Sequence, residues 1–166
     1  ILMTDFERCL LDIENELMTG KCAWVADFNE SFRNLKIGDT SFNMVVRGNT
    51  RGKSMGLFLS RMYSYFTLPS YDVACFVSCV DSFGERALNA TLREVTNYLK
   101  NNDLKWAWLV FLRKGPFSDD IRKAVENMKF QELGVALIDI ESNTVTPSNS
   151  YLGRSIPKYL KLKRRP

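Results

Sequence analysis

The chain has 166 residues and not one histidine. Histidine is the usual general base near neutral pH, the usual partner of a nucleophilic Ser or Cys, and a frequent zinc ligand. Its absence excludes Ser-His-Asp and Cys-His machinery. Carboxylate chemistry with a hard cation such as Mg²⁺, lysine chemistry, or no chemistry at all remain. Cysteine is sparse too: Cys9, Cys22, Cys75 and Cys79 show no CxxC or other metal-ligand spacing and read as reduced, mostly buried thiols. No stretch approaches the roughly 20 uninterrupted apolar residues needed to cross a bilayer, and Asp5, Glu7 and Arg8 interrupt any signal-peptide profile. A soluble, cytoplasmic protein with no membrane partner is the expectation. No linker or low-complexity stretch divides the chain, so residues 1–166 are expected to form one α/β domain, with 161–166 as a basic tail.

What the chain does contain is a β-α-β-α-β rhythm from Tyr71 to Glu141. Asp72-Val-Ala-Cys-Phe-Val-Ser-Cys-Val80 is rich in β-branched and apolar residues and nearly free of charge, as a strand buried on both faces requires. Ser82-Phe-Gly-Glu85 has capping-box spacing and predicts a helix starting near Ser82 to Gly84. Leu88, Leu92, Val95 and Leu99 fall on one face of that helix, which should end near Asn101-Asn102. Lys105 to Leu112 is a second strand-length run, and Lys114-Gly-Pro-Phe-Ser118 supplies a breaker and an N-cap. Ile121, Ala124, Val125 and Met128 form the next helical stripe. Gly134 to Ile140 is the third strand, and Ser142-Asn143 turns the chain into a short run around Thr144 to Thr146.

Parallel strands joined through helices place those helices on one face of the sheet unless the winding reverses. The other face needs cover. Thr4-Asp-Phe-Glu7 is a capping box followed by Phe6, Leu10, Ile13 and Leu17 at helical spacing, so an N-terminal helix is the natural second layer. Between it and Tyr71, runs at Cys22 to Phe28, Phe42 to Val46 and Met55 to Phe66 predict mostly antiparallel strands, with Gly48-Asn-Thr-Arg51 as a hairpin turn. The expected architecture is therefore a three-layer-like α/β domain on a mixed sheet. Its C-terminal half is parallel, and an N-terminal helix and antiparallel strands come before it.

Charge supplies the functional hint. Ser31 to Phe66 holds six basic residues (Arg33, Lys36, Arg47, Arg51, Lys53, Arg61) and one acid, Asp39, a net +5. Tyr151 to Pro166 holds six more (Arg154, Lys158, Lys161, Lys163, Arg164, Arg165) and no acid, a net +6. With a chain total of +4, the remainder carries −7, so the modest net charge hides a strong segregation. If the two basic segments meet in space, they form a cationic face suited to a phosphate backbone. Phe42, Phe58, Tyr63, Tyr65 and Phe66 are interleaved with the first cluster as base-stacking platforms or as core. Gly48-Asn-Thr-Arg-Gly-Lys-Ser54 departs from a phosphate-binding loop because three residues, not four, separate its glycines. It reads instead as an exposed hairpin tip touching phosphates.

The order of an apolar strand after Pro69-Ser-Tyr-Asp72, helix Arg86 to Lys100 with Tyr98 near its end, strand Trp106 to Leu112, helix Asp119 to Met128, then Gly134-Val-Ala-Leu-Ile-Asp139 resembles the restriction-endonuclease-like, or PD-(D/E)xK, superfamily over roughly residues 69–166. In that family a carboxylate near a strand start and a Glu-x-Lys on the next strand hold Mg²⁺, and an N-terminal helix often adds another acid. The resemblance implies Asp72 for the first carboxylate and Glu7 or Glu14 for the helix acid. The chain departs from it in having no Glu-x-Lys; its one Asp-x-Lys, Asp103-Leu-Lys105, follows the long helix.

The expectation is a degenerate member that binds DNA or RNA, has lost catalysis and needs no cofactor. Arg47, Arg51, Lys53 and Arg61 would grip phosphates from a hairpin, and Arg154, Lys158 and Lys161 from a short C-terminal helix. One alternative is a Mg²⁺-dependent nuclease in which Asp72, Asp81 or Glu85 converges with Glu7 or Glu14. Another is a Rossmann-like interaction or ligand-sensing subunit that pairs with a second copy or a protein partner.

Overall fold

The computed structural model describes residues 3–20, 22, 25–50 and 71–162. Among these, ten elements follow in order. They are α1 (Asp5–Thr19), β1 (Ala26–Ile37), β2 (Thr40–Thr50), β3 (Val73–Cys79), α2 (Glu85–Asn101), β4 (Trp106–Arg113), α3 (Asp119–Glu126), β5 (Leu133–Asp139), β6 (Thr144–Pro147) and α4 (Tyr151–Tyr159). The six strands lie in one mixed sheet in their sequence order. β3, β4 and β5 are parallel, and the β1–β2, β2–β3 and β5–β6 pairs are antiparallel. The mixed α/β sheet with its parallel centre is the expected one.

Two apolar layers sandwich the sheet. On one face, Leu10, Ile13 and Leu17 of α1 and Ile156 of α4 pack on Met44, Val46, Cys75 and Trp108. On the other, Leu88, Leu92, Val95 and Leu99 of α2 and Ile121 and Val125 of α3 pack on Phe42, Phe76 and Leu109. Each central strand points alternate side chains into the two layers, which is why β3, β4 and β5 read as continuous apolar runs. Both parallel crossovers thus lie on one face, and α1 shares the other with α4.

Local signals set the helix ends in most cases. Thr4 and Glu7 close the capping box at α1, Ser118 caps α3 through its hydroxyl, and α2 ends at Asn101. Ser82 does not cap α2. Gly84 is the N-cap, without a side-chain bond, because the Phe83 ring is pinned against Phe111 at 4.5 Å and Phe117 at 6.2 Å. That anchor moves the helix start two residues downstream of the expected cap.

The N-terminal strands also differ from expectation. Ala26–Ile37 forms one 12-residue strand that extends well beyond Phe28, with a bulge between Phe28 and Glu30. The turn that joins it to β2 is Gly38-Asp39, flanked by the Ile37–Thr40 pair. Gly38 takes φ +60°, a left-handed conformation that a two-residue hairpin demands and glycine tolerates. Gly48, Asn49 and Thr50 are not a turn but strand residues, paired with Phe28, Asp27 and Ala26. The predicted run at Met55 to Phe66 lies outside the described residues.

At the C-terminal end of β5, the Asp139 carboxylate accepts from the Gly115 and Glu141 amides at 3.0 Å each and from the Ser142 hydroxyl at 2.8 Å. Burial pushes its pKa up, but the Ser142 hydroxyl and these amides outweigh burial and hold it below the usual carboxylate range. A depressed folded pKa stabilises the protein above the ordinary carboxylate pKa of about 4, and the gain is lost as pH falls through the folded value. Asp139→Ala is therefore expected to cost on the order of 2–3 kcal/mol at pH 7. In urea unfolding at several pH values, the gap to the parent protein should narrow below about pH 4. A pH-independent gap would assign the loss to packing alone.

Candidate nucleic-acid interface

The end of the sheet at which the parallel strands begin gathers several polar side chains. Asp72 immediately precedes β3 and is 3% exposed. Its carboxylate accepts from the Thr50 amide at 2.7 Å and the Thr50 hydroxyl at 2.8 Å, and Lys105 Nζ stands 3.6 Å away. Lys105 also donates to the Thr50 hydroxyl at 3.4 Å, and its amide donates to the Asp72 carbonyl at 2.7 Å. This clamp ties the end of β2 to the starts of β3 and β4. Thr50 and Tyr71, the described residues that bracket 51–70, both lie at this sheet end, since Gly48 pairs with Val73.

α4 crosses the same end. Its first turn lies over Gly134 near the start of β5, where a Cβ would come within 2.6 Å of the Leu152 carbonyl carbon. Trp108 of β4 donates its indole N–H to the Leu152 carbonyl at 3.1 Å. Farther along α4, the Tyr159 ring stacks on Trp108 at 6.3 Å, and the Tyr159 carbonyl lies 3.9 Å from the thiol of Cys22, just ahead of β1. Gly153, Ile156 and Leu160 face the sheet, while Arg154, Lys158 and Lys161 are exposed. Arg154 is steadied by donating to the Asn149 side-chain Oδ1 at 2.8 Å. From Ser142 to the C-terminus the sequence has no acid, so these cations have no carboxylate neighbour on their own segment.

The remaining candidates fall elsewhere. Arg47 directs its guanidinium inward. It donates to the Tyr98 hydroxyl at 3.0 Å and to Glu30 at 3.3 Å, and it lies 4.8 Å from the Phe32 ring and 4.7 Å from the Tyr71 ring. Burial opposes the charge, but Tyr98 and Glu30 outweigh it and raise the Arg47 pKa. Phe42 is 1% exposed and packs on Phe76 at 5.2 Å, so it belongs to the core and offers no surface for a base. Arg51, Lys53 and Arg61, with Phe58, Tyr63, Tyr65 and Phe66, lie outside the described residues.

The carboxylates are divided between opposite ends of β3. Asp72 stands at its start. Glu7 lines a groove with Cys79 at its far end, roughly 20 Å away for a seven-residue strand. Glu7 is engaged in its capping box, and Glu14 pairs with Arg33. Asp81 follows β3 and accepts through its carbonyl from Arg113 at 2.7 Å, and Glu85 opens α2. Among the described residues no three His, Cys, Asp or Glu side chains come together in a way that could hold a metal ion. The described carboxylates therefore do not fit the Mg²⁺ set that the nuclease alternative requires.

The groove itself, about 520 Å³, is lined by Phe6, Glu7 and Leu10 of α1, Arg33 and Asn34 of β1, Asn43 of β2 and Cys79 of β3. Asn43 accepts from the Cys79 amide at 2.8 Å. Burial pushes the Cys79 thiol up to about 12, with Cys9 adding to it, so it stays neutral at physiological pH. The sequence carries no signal for this groove, because Asn43 and Cys79 are 36 residues apart and neither belongs to a motif. At the C-terminal ends of the parallel strands, the space beside Leu137 and Asp139 is about 110 Å³, below the roughly 300 Å³ of a small-molecule pocket.

No protein-family model, no curated protein and no solved structure matches the chain. Among the described residues no helix is long and apolar enough to cross a membrane.

Proposed function

We propose that the chain is a nucleic-acid-binding domain on a nuclease-like α/β fold that has lost cleavage. One observation carries this proposal. α4 displays Arg154, Lys158 and Lys161 along the sheet end where Thr50 and Tyr71 bracket the segment holding Arg51, Lys53 and Arg61. The described residues on either side of the first basic stretch thus lie at the sheet end that α4 crosses with the second, about 100 residues later in sequence. Three exposed cations in line on a segment without acids favour a polyanion through counterion release. The resemblance to restriction-endonuclease-like proteins supports the nuclease-like part. The missing Glu-x-Lys and the separated carboxylates support the loss of cleavage.

Labelled DNA and RNA, single- and double-stranded, titrated by fluorescence anisotropy over a salt series with and without Mg²⁺, test it. Binding should weaken with salt and leave the nucleic acid intact. Replacing Arg154, Lys158 and Lys161 together by Ala should lower the log–log salt slope by roughly two to three and weaken all sequences alike. Cleavage that depends on Mg²⁺ would establish the enzyme instead. No binding at low salt would refute the nucleic-acid reading and turn the search to a protein partner.

A further inference from the structure

The outward face of α4 carries more than charge. Its exposed residues are Tyr151, Arg154 and Lys158, and Lys161 follows just past the helix end. The spacing of three and four residues places Tyr151, Arg154 and Lys158 in one stripe along the helix. Tyr151 is 78% exposed, the most exposed large apolar side chain among the described residues. It occupies the first helical position after the Ser150 cap, whose hydroxyl accepts from the Gly153 amide at 3.0 Å. The Tyr151 carbonyl accepts from the Ser155 hydroxyl at 2.6 Å. The backbone beneath the ring is thus held from both directions, while the ring itself stands in solvent.

We infer that Tyr151 is a stacking platform for an unpaired base and that Arg154, Lys158 and Lys161 hold the adjoining phosphates, which makes single-stranded nucleic acid the preferred ligand. This rests on the nucleic-acid-binding proposal above. Aromatic faces bind bases of any sequence, and a base in a duplex already has both faces stacked, so an exposed ring beside cations selects single strands. From Tyr151 to Lys158 the stripe runs about 10 Å at 1.5 Å per helical residue.

α4 also lies flat on the sheet, with Gly153, Ile156 and Leu160 buried against it. Its shape is that of a rail along the edge, not of a helix projecting into a major groove. The same burial argues against a bilayer as ligand. A membrane-surface helix inserts its apolar face, and here that face is already covered by Trp108 and its neighbours.

The test uses the full chain with Tyr151→Ala, Tyr151→Phe and the triple Arg154, Lys158, Lys161→Ala variant. Anisotropy is read with a short mixed-sequence oligonucleotide, single-stranded and as the duplex, alongside phosphatidylserine vesicles. Tyr151→Ala should weaken single-strand binding roughly ten-fold, with an unchanged salt slope because no phosphate contact is removed. Tyr151→Phe should bind like the parent, and duplex affinity should be equal in the parent and both Tyr151 variants. The triple variant should instead flatten the salt slope.

If Tyr151→Ala binds single strands as the parent does while the triple variant fails, Tyr151 is no platform and the nucleic-acid reading stands without it. Tighter binding to duplex than to single strand overturns the preference. Vesicle binding lost in Tyr151→Ala, without nucleic-acid binding by the parent, overturns both readings in favour of a membrane surface.

Discussion

Replacing Trp108 by Ala is expected to cost about 3–5 kcal/mol in urea unfolding. Trp108 is fully buried and lies at the junction of three rings: Trp106 at 5.1 Å, Phe28 at 6.3 Å and Tyr159 at 6.3 Å. Its removal leaves a cavity under α4 that backbone on both sides prevents from closing. It also strips the Leu152 carbonyl of the indole N–H that it accepts from at 3.1 Å. Because α4 rests on this ring, its basic stripe should lose its fixed position, and under the proposed function nucleic-acid affinity should fall in a protein that still folds at low temperature. Trp108→Phe keeps most of the volume and loses the hydrogen bond, so a cost of about 1–2 kcal/mol is expected. A Trp108→Ala loss below about 1 kcal/mol would mean that the ring does not seat the helix.

Gly134→Val should be nearly as damaging for the opposite reason. The position is inside β5, where a Cβ would stand 2.6 Å from the Leu152 carbonyl carbon and 2.7 Å from the Gly153 nitrogen. Those are backbone atoms, so no rotamer change relieves the clash and α4 must lift as a unit. Overpacking of this kind costs about 1–3 kcal/mol and more where backbone has to move. Loss of about 3 kcal/mol in thermal or urea unfolding, with quenching of the Trp108 environment altered, is the expected outcome. A variant as stable as the parent would show that α4 tolerates displacement. Trp108→Ala and Gly134→Val act from beneath and beside the same helix, so their costs should not add.

Much of this architecture is legible in the residue order alone. The charge-poor runs at Asp72 to Val80, Lys105 to Leu112 and Gly134 to Ile140 became β3, β4 and β5, and Leu88, Leu92, Val95 and Leu99 became the buried stripe of α2. Thr4 and Ser118 capped their helices as their spacing required. The misses came where a contact made at a distance overrode a local signal. Ser82 had the better capping chemistry, yet Phe83 was pinned by Phe111 and Phe117, which moved the cap to Gly84. Gly48-Asn-Thr looked like a turn, but its pairing with Asp27 and Phe28 held it in a strand. The turn falls at Gly38-Asp39, where glycine takes the left-handed φ of +60° that the hairpin needs.

The candidate site divides along the same line. That twelve cations gather in two stretches was plain from composition, and so was the lack of histidine and of Glu-x-Lys. Which cations face solvent was not. Arg47 is spent on Glu30 and Tyr98, residues 17 and 51 positions away, whereas Arg154, Lys158 and Lys161 are exposed because Ile156 and Leu160 turn the helix's other face to the sheet.

Helix and strand periodicity depend on side chains two to four residues apart, so the order of residues is enough to read them. Whether a charge is neutralised, a ring is left in solvent or two carboxylates meet depends on which strands lie side by side. That choice belongs to the packing of both apolar layers at once. The α/β class and the segregation of charge were therefore written in the residue order. The clamp at Asp72, the Asn43–Cys79 groove and the exposed stripe of α4 came into being only when the sheet closed between its helices.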